Sequence, residues 1–197
     1  TLRRIEASAK LEFRPVIYTD VAAVSTADGS TPTPVPTEGL STTRTATPTD
    51  ASDPSWVTEA LFAEFQNFDC ATLDQANTNV APTDEPLITC EDDGSYKYIL
   101  GPVEVSGETI SDATSGLISN SQGVSTGQWG VFITFNGEGT QKFAKVTERL
   151  YGFPQTDPRN RFAIVLDGRV ISAPTTQGII TDGKPQISGS VTQQSPK

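Results

Sequence analysis

Histidine is absent from this chain of 197 residues. Its absence removes the commonest general base and the commonest metal ligand, so serine–histidine and cysteine–histidine nucleophilic sets are excluded. Cys70 and Cys90 are the only thiols. Two sulfurs without an imidazole leave a tetrahedral zinc site incomplete unless carboxylates fill it. Basic residues are also scarce, with 14 Lys and Arg against 24 Asp and Glu and a net charge of −10. That balance disfavours a nucleic-acid binder, which needs a basic face for phosphates, and a polybasic membrane contact. It reads as a soluble, self-repelling surface. No apolar run reaches the roughly 18 residues needed to cross a bilayer. Thr1–Arg4 is not followed by the apolar segment of a signal peptide, and no Asn-X-Ser/Thr sequon occurs.

The clearest local signal is Arg161-Phe-Ala-Ile-Val-Leu-Asp-Gly-Arg-Val-Ile-Ser-Ala-Pro174. An apolar run meets Asp167-Gly168, a pair able to take the positive φ angles of a type I′ turn, and a second apolar run follows. This is a β-hairpin, stopped by Pro174, which cannot donate to a ladder. Gln128 to Phe135 alternates, with Trp129, Val131, Ile133 and Phe135 on one side, and reads as a strand with one buried face. Trp129 is expected in the core rather than as a ligand platform. Residues 9–18 give another strand, with Leu11, Phe13, Pro15 and Ile17 opposite Glu12 and Arg14, and Pro15 hints at an edge position or a strand end. Tyr96 to Val105 reads as a strand passing through Gly101-Pro102, and the next twenty residues as a polar, Gly/Ser-rich stretch.

Two helices are expected. The first has Asp53 as cap, Pro54 at its first position, Val57, Leu61, Phe65 and Phe68 as its stripe, and an end near Asn67. The second spans about Gly139 to Leu150, with Phe143, Val146, Thr147 and Leu150 inward and Gly152 as C-terminal cap. Residues 69–94 look loop-like, and Glu91-Asp92-Asp93 before Gly94 reads as a solvated turn rather than a calcium loop. The sum is an α+β domain, mostly antiparallel sheet with two principal helices.

Residues 25–53 differ in kind, being dominated by Ser, Thr, Ala and Pro. Such a stretch cannot bury enough apolar surface to offset its ordering entropy, so a long flexible insertion is expected over residues 21–54. A glycan-bearing stalk is the alternative for this composition.

No chemistry emerges from the remaining candidates. Lys142 and Lys145 are the solvated face of the second helix rather than partners of a serine. The pairs Glu104/Glu108 and Glu138/Glu148 lack the context of a glycosidase. Gly137-Glu-Gly139 lacks the lysine and spacing of a phosphate loop, and its glycines are expected to turn the strand into the helix. The protein is read as a non-enzyme without a cofactor or metal.

Leu166-Asp-Gly-Arg-Val-Ile-Ser-Ala-Pro174, followed by Ile179-Ile180 and Gln186-Ile-Ser-Gly189, resembles the first extracytoplasmic domain of the SecD family. Leu11-Glu-Phe-Arg-Pro15 and Phe135-Asn-Gly-Glu-Gly-Thr-Gln-Lys-Phe-Ala-Lys-Val-Thr147 fit the same family in the same order. The resemblance marks Asp167, Gly168, Pro174 and Gly189 as family-motif turn residues. It implies residues 1–20 and 94–197 as the α+β domain, mostly its head, with 55–93 as a helix and a cysteine-closed loop of that domain. The family's Gly-rich motif near its first transmembrane helix is missing, and the chain stops where the family continues towards the membrane. An excised extracytoplasmic loop is therefore expected.

The exported context that the resemblance implies makes a Cys70–Cys90 disulfide the expected pairing, with two separate buried thiols as the alternative. The resemblance further implies proton-motive-force-driven protein export. The partners would be an unfolded preprotein, and SecF and the Sec channel through the membrane part of the protein. It identifies no preprotein-binding residue. A structural or adhesive cell-surface module on a Thr/Pro stalk is the other reading.

Overall fold

A computed structural model describes residues 3–4, 11–22, 33–72, 81–119 and 122–188. Among these residues ten strands and two α-helices follow in order. They are β1 (Arg3–Arg4), β2 (Leu11–Val21), α1 (Glu59–Asn67), β3 (Leu87–Cys90), β4 (Tyr96–Leu100), β5 (Val105–Ser106), β6 (Ile110–Ser119), β7 (Ser125–Phe135), α2 (Gly137–Tyr151), β8 (Phe162–Leu166), β9 (Arg169–Ser172) and β10 (Gln186–Ser188). The architecture is α+β and its ladders are antiparallel.

One sheet runs β3-β4-β2-β8-β9, with β5 added beside β2. It curls until its end strands meet. Glu91 and Val170 form a parallel bridge, the Asp92 amide donates to Val170 O at 2.9 Å, and Thr89 Oγ1 donates to Gly168 O. The second sheet runs β1-β6-β7-β10, built on the long β6–β7 hairpin.

The strands divide their side chains between separate clusters, as the period of two requires. Val16, Leu87, Tyr98, Leu100, Ala163, Val165 and Val170 fill one. Leu11, Phe13, Phe162 and Ile164 join Ile133 and Phe135 of β7 and the inner face of α2 in another. Phe143 anchors that contact, with its ring 5.3 Å from Phe162 and 5.8 Å from Phe13. Phe143, Val146 and Leu150 are all buried, each worth about 1.5–3 kcal/mol. Helix α1 covers Ile88 and Ile99 with Phe65.

The hairpin of β8 and β9 forms as the sequence dictates. Asp167 has φ 52° and Gly168 φ 83°, both positive as the type I′ turn requires. Helix α2 begins two residues earlier than its apolar stripe suggests. Asn136 caps it by accepting from the Gly139 amide at 2.9 Å, so Gly137 and Gly139 belong to its first turn. Gly139 is buried against Thr109 and Phe135, where a Cβ would collide.

The first helix departs from expectation at its start. Asp53 caps only a short 3₁₀ turn, Pro54–Trp56, while Thr58 Oγ1 accepts from the Leu61 amide at 3.1 Å and caps α1 itself. The chain between them is extended, so one apolar stripe is carried by two elements. Pro15 is neither at an edge nor at the end of its strand. It lies in the central strand, followed by a register shift between Val16 and Tyr18, and its carbonyl accepts from the Gly101 amide at 2.9 Å. Gly101-Pro102 ends β4 and separates it from β5. Strands β3 and β6 occupy stretches whose composition reads as loop; tertiary pairing supplies what propensity does not.

Residues 23–32, within the expected flexible insertion, lie outside the described residues. From Ser41 to Asp53 the chain lies against the body. Ser52 is only 2% exposed, so the flexible insertion expected over residues 21–54 does not extend to it. The Trp129 side chain and Gly189 lie outside what the structure describes.

Candidate functional site

Residues 41–53 form a strap fixed at both ends. At one end the Ala60 amide donates to Ser41 O at 3.0 Å, and the Ser41 amide donates to Glu59 Oε2 at 3.2 Å. At the other, Arg149 of α2 donates from Nε and Nη2 to Ser52 Oγ at 3.2 and 3.0 Å, and reaches Asp50 at 3.9 Å. The same guanidinium holds both carboxylate oxygens of Glu104. Beside Ser52, the Ala51 carbonyl sits so close to Gly101 that no side chain fits there.

Between these anchors the strap touches the body through Arg44. Its guanidinium carbon lies 4.3 Å from the centre of the Trp56 ring, and Nη2 pairs with Glu85 Oε2 at 3.0 Å. The indole is oriented by its own N–H, which donates to Asp50 O at 2.8 Å. Two shallow grooves share Trp56 and Pro48 as walls. One, of about 620 Å³, continues past Thr42, Arg44, Thr58, Leu61, Glu85 and Pro86. The other, of about 470 Å³, runs past Asp50, Asp84, Pro102 and Val103. An aromatic floor with polar, acidic margins can hold an extended ligand by stacking and charge.

Below the grooves the scaffold is stiffened by cations held on backbone carbonyls. Arg14 is fully buried; Nη1 donates to Glu85 O at 2.7 Å and Gly101 O at 3.3 Å, and Nη2 donates to Glu12 Oε2 at 3.3 Å. Nη2 also reaches the carbonyls of Ala81 and Pro82 at 3.5 and 3.4 Å. Burial lowers its pKa, and the Glu12 carboxylate opposes that shift. The Lys97 ammonium donates to the Phe65 and Gln66 carbonyls at 2.8 and 3.0 Å, closing the C-terminus of α1 where a cation suits the helix dipole. Desolvation lowers the Lys97 pKa despite Asp20 and Asp69. Asn160 ties the end of α2 to the final segment by donating to the carbonyls of Leu150 and Phe153 at 3.1 and 2.9 Å and accepting from the Thr176 amide at 2.9 Å.

Cys70 and Cys90 are joined in a disulfide that fastens the turn after α1 to the end of β3. Cys90 is buried, and its neighbour Thr89 donates to Gly168 O, so the disulfide and the Asp167-Gly168 turn come together. Pro174 stands beyond the end of β9, where its carbonyl accepts from the Phe162 amide at 3.4 Å. In the Glu91–Asp93 turn, Asp93 is held below the usual carboxylate range chiefly by the Ser95 hydroxyl, then by the Ser95 amide. Among the described residues no group of three or more acidic or sulfur ligands is placed to hold a metal. Lys142 is exposed and paired with Glu138 at 3.0 Å, and Lys145 is exposed.

The strap, Arg44, Trp56, Glu85 and Arg149 are not marked by sequence reading. The one available signal is Trp56 itself, a large aromatic next to a segment otherwise poor in apolar residues.

The fold and grooves define a cross-linked α+β scaffold that presents an open surface. Residues 84–197 match the family described as SecDF, P1 head subdomain, and the chain belongs to that family. The protein translocase subunit SecD of Streptomyces coelicolor is 35% identical over 117 residues, 58% of this chain and 20% of that protein. The subunit of the same name from Mycobacterium tuberculosis is 33% identical over 126 residues, 64% of this chain and 20% of that one. The chain thus spans about a fifth of the length of these relatives. A crystal structure of SecDF in a super-membrane-facing form aligns with 92% of this chain and 17% of that one, at 24% identity and a TM-score of 0.38. No described helix is long and apolar enough to cross a membrane.

Proposed function

We propose that this chain is the extracytoplasmic domain of a SecD-type translocase subunit. It assists proton-motive-force-driven export by contacting the emerging preprotein, and it does so mechanically, without catalysis of its own. It lies on the outer side of the cell membrane as a loop of an integral membrane protein, which reaches SecF and the Sec channel through its membrane part. The observation that carries this reading is the match of residues 84–197 to the P1 head family.

Two modes of capture suit a sequence-independent handler: pairing at an exposed strand edge, or a shallow groove. The curled sheet supports the groove. Its end strands β3 and β9 meet each other, so neither is a free edge along that contact. The grooves beside Trp56 are open, with an aromatic floor and several prolines. Binding would be weak, because ordering an unfolded partner opposes it. The adhesive reading needs a free stalk, and residues 41–53 are instead bound to the body at both ends.

The test is a secretion assay in cells whose full-length protein lacks only this domain. Precursor should accumulate while the membrane-embedded part still assembles. Normal secretion with altered surface attachment would transfer the case to the adhesive module.

A further inference from the structure

The contact of Arg44 with Trp56 and Glu85 has the form of a bound ligand supplied by the chain itself. A planar cation lies over an indole face, 4.3 Å from its centre, and pairs with a carboxylate at 3.0 Å. Guanidinium is the group best suited to both partners, because it is planar, weakly hydrated and always charged. The contact is also weak enough to open. The side chains of Arg44 and Glu85 are 38% and 47% exposed, a setting in which solvent and salt screen an ion pair. The strap does not depend on it, since Ser41 and Ser52 are anchored separately.

We propose that Trp56 and Glu85 form an arginine-reading subsite, occupied in cis by Arg44 and open in trans to an arginine of an extended polypeptide. This rests on the proposed handling of unfolded chains and names the side chain that would be held. The guest's backbone would follow the grooves on either side of Trp56, which are lined by Thr42, Thr58, Leu61 and Pro86 on one side and Pro102 on the other. Charge favours a basic guest. Asp50, Asp84 and Glu85 line the two grooves against Arg44 alone, in a chain of net charge −10. Arg44 acts as a displaceable plug: it lowers affinity for any single arginine and so favours release as the chain moves past.

The test uses the 197-residue chain with Trp129→Phe, so that Trp56 is the only indole and can be excited selectively over the tyrosines. It is titrated with a short unstructured Gly/Ser/Arg peptide and with its Gln-for-Arg counterpart. The arginine peptide should change Trp56 emission, less so as salt rises, and the glutamine peptide should not. Arg44→Gln should tighten the arginine peptide about tenfold by removing the internal competitor. Glu85→Gln should abolish that gain while the thermal transition stays intact. Unchanged or weaker binding by Arg44→Gln, or equal binding of both peptides, overturns the proposal. Should that occur while cells lacking the domain still accumulate precursor, the export role stands and only the arginine subsite falls. Arginine binding with normal secretion gives the reverse.

Discussion

Arg14 and Glu85 are 71 positions apart in the chain, yet Arg14 Nη1 donates to the Glu85 carbonyl at 2.7 Å. That bond joins the central strand to a loop bounded by the disulfide of Cys70 and Cys90. The disulfide limits how far the loop can travel, and the loop gives the buried guanidinium the carbonyls that replace its water.

The two devices are therefore expected to be coupled. Replacing both cysteines by serine should cost about 3 kcal/mol. Arg14→Met should cost about 3 kcal/mol by leaving the loop's carbonyls without their donor. In urea denaturation of the double-mutant cycle, the combined loss should fall short of the sum. Strict additivity would show that the loop holds its place without the disulfide.

Deleting residues 26–52 should lower the melting temperature. Arg149 would lose Ser52 and Asp50, keeping only Glu104. A hydrogen bond to a charged group contributes about 1.5–3 kcal/mol, so a fall of about 5 °C is expected for a domain of this size. An unchanged transition in calorimetry would show that the strap contributes nothing to the body.

Gly101→Ala tests the same docking from the opposite side. A Cβ there would lie 1.8 Å from the Ala51 carbonyl oxygen, which is backbone and cannot rotate away. A loss of about 2–3 kcal/mol is expected, with the strap displaced. Strap displacement would appear as a change in Trp56 emission in a Trp129→Phe background. Full stability would mean that strap and strand separate at little cost.

Tyr98 should make the fold sensitive to alkali. Its phenol is buried and donates to Glu91 Oε1 at 2.7 Å; burial first, then that hydrogen bond, raises its pKa well above the ordinary value. A phenol raised in the folded state stabilises fully below its unfolded pKa of about 10 and loses that contribution as pH rises further. Unfolding free energy should thus decline above about pH 10, and Tyr98→Phe should flatten the decline. Phenolate absorbance assigned to Tyr98 in the native state near pH 10 would contradict this.

The hairpin at Asp167-Gly168, the stripe of Phe143, Val146 and Leu150, and the helix ending at Asn67 were legible because each rests on local rules of turn, period and cap. Strands β3 and β6 were not. Leu87–Cys90 and Ile110–Ser119 are strands because β4 and β7 pair with them, and no short-range signal records a partner. Arg14 reads as an outward charge on an alternating strand. It is buried because the same strand has neighbours on both sides and a loop over it. The candidate site was the least legible part, since its residues come from a strap whose composition suggests no packing at all.

The sequence alone determined the α+β class, the hairpin, the absence of imidazole chemistry and the acidic surface, since these follow from residue types and their neighbours. The Cys70–Cys90 disulfide was expected from the resemblance and is formed, whereas tertiary structure decided that Arg149 holds Ser52 and that Arg44 lies over Trp56 against Glu85. Those contacts link residues distant in the chain. Their free energy arises from burial, stacking and charge at close range, which depend on where the whole chain has brought each group.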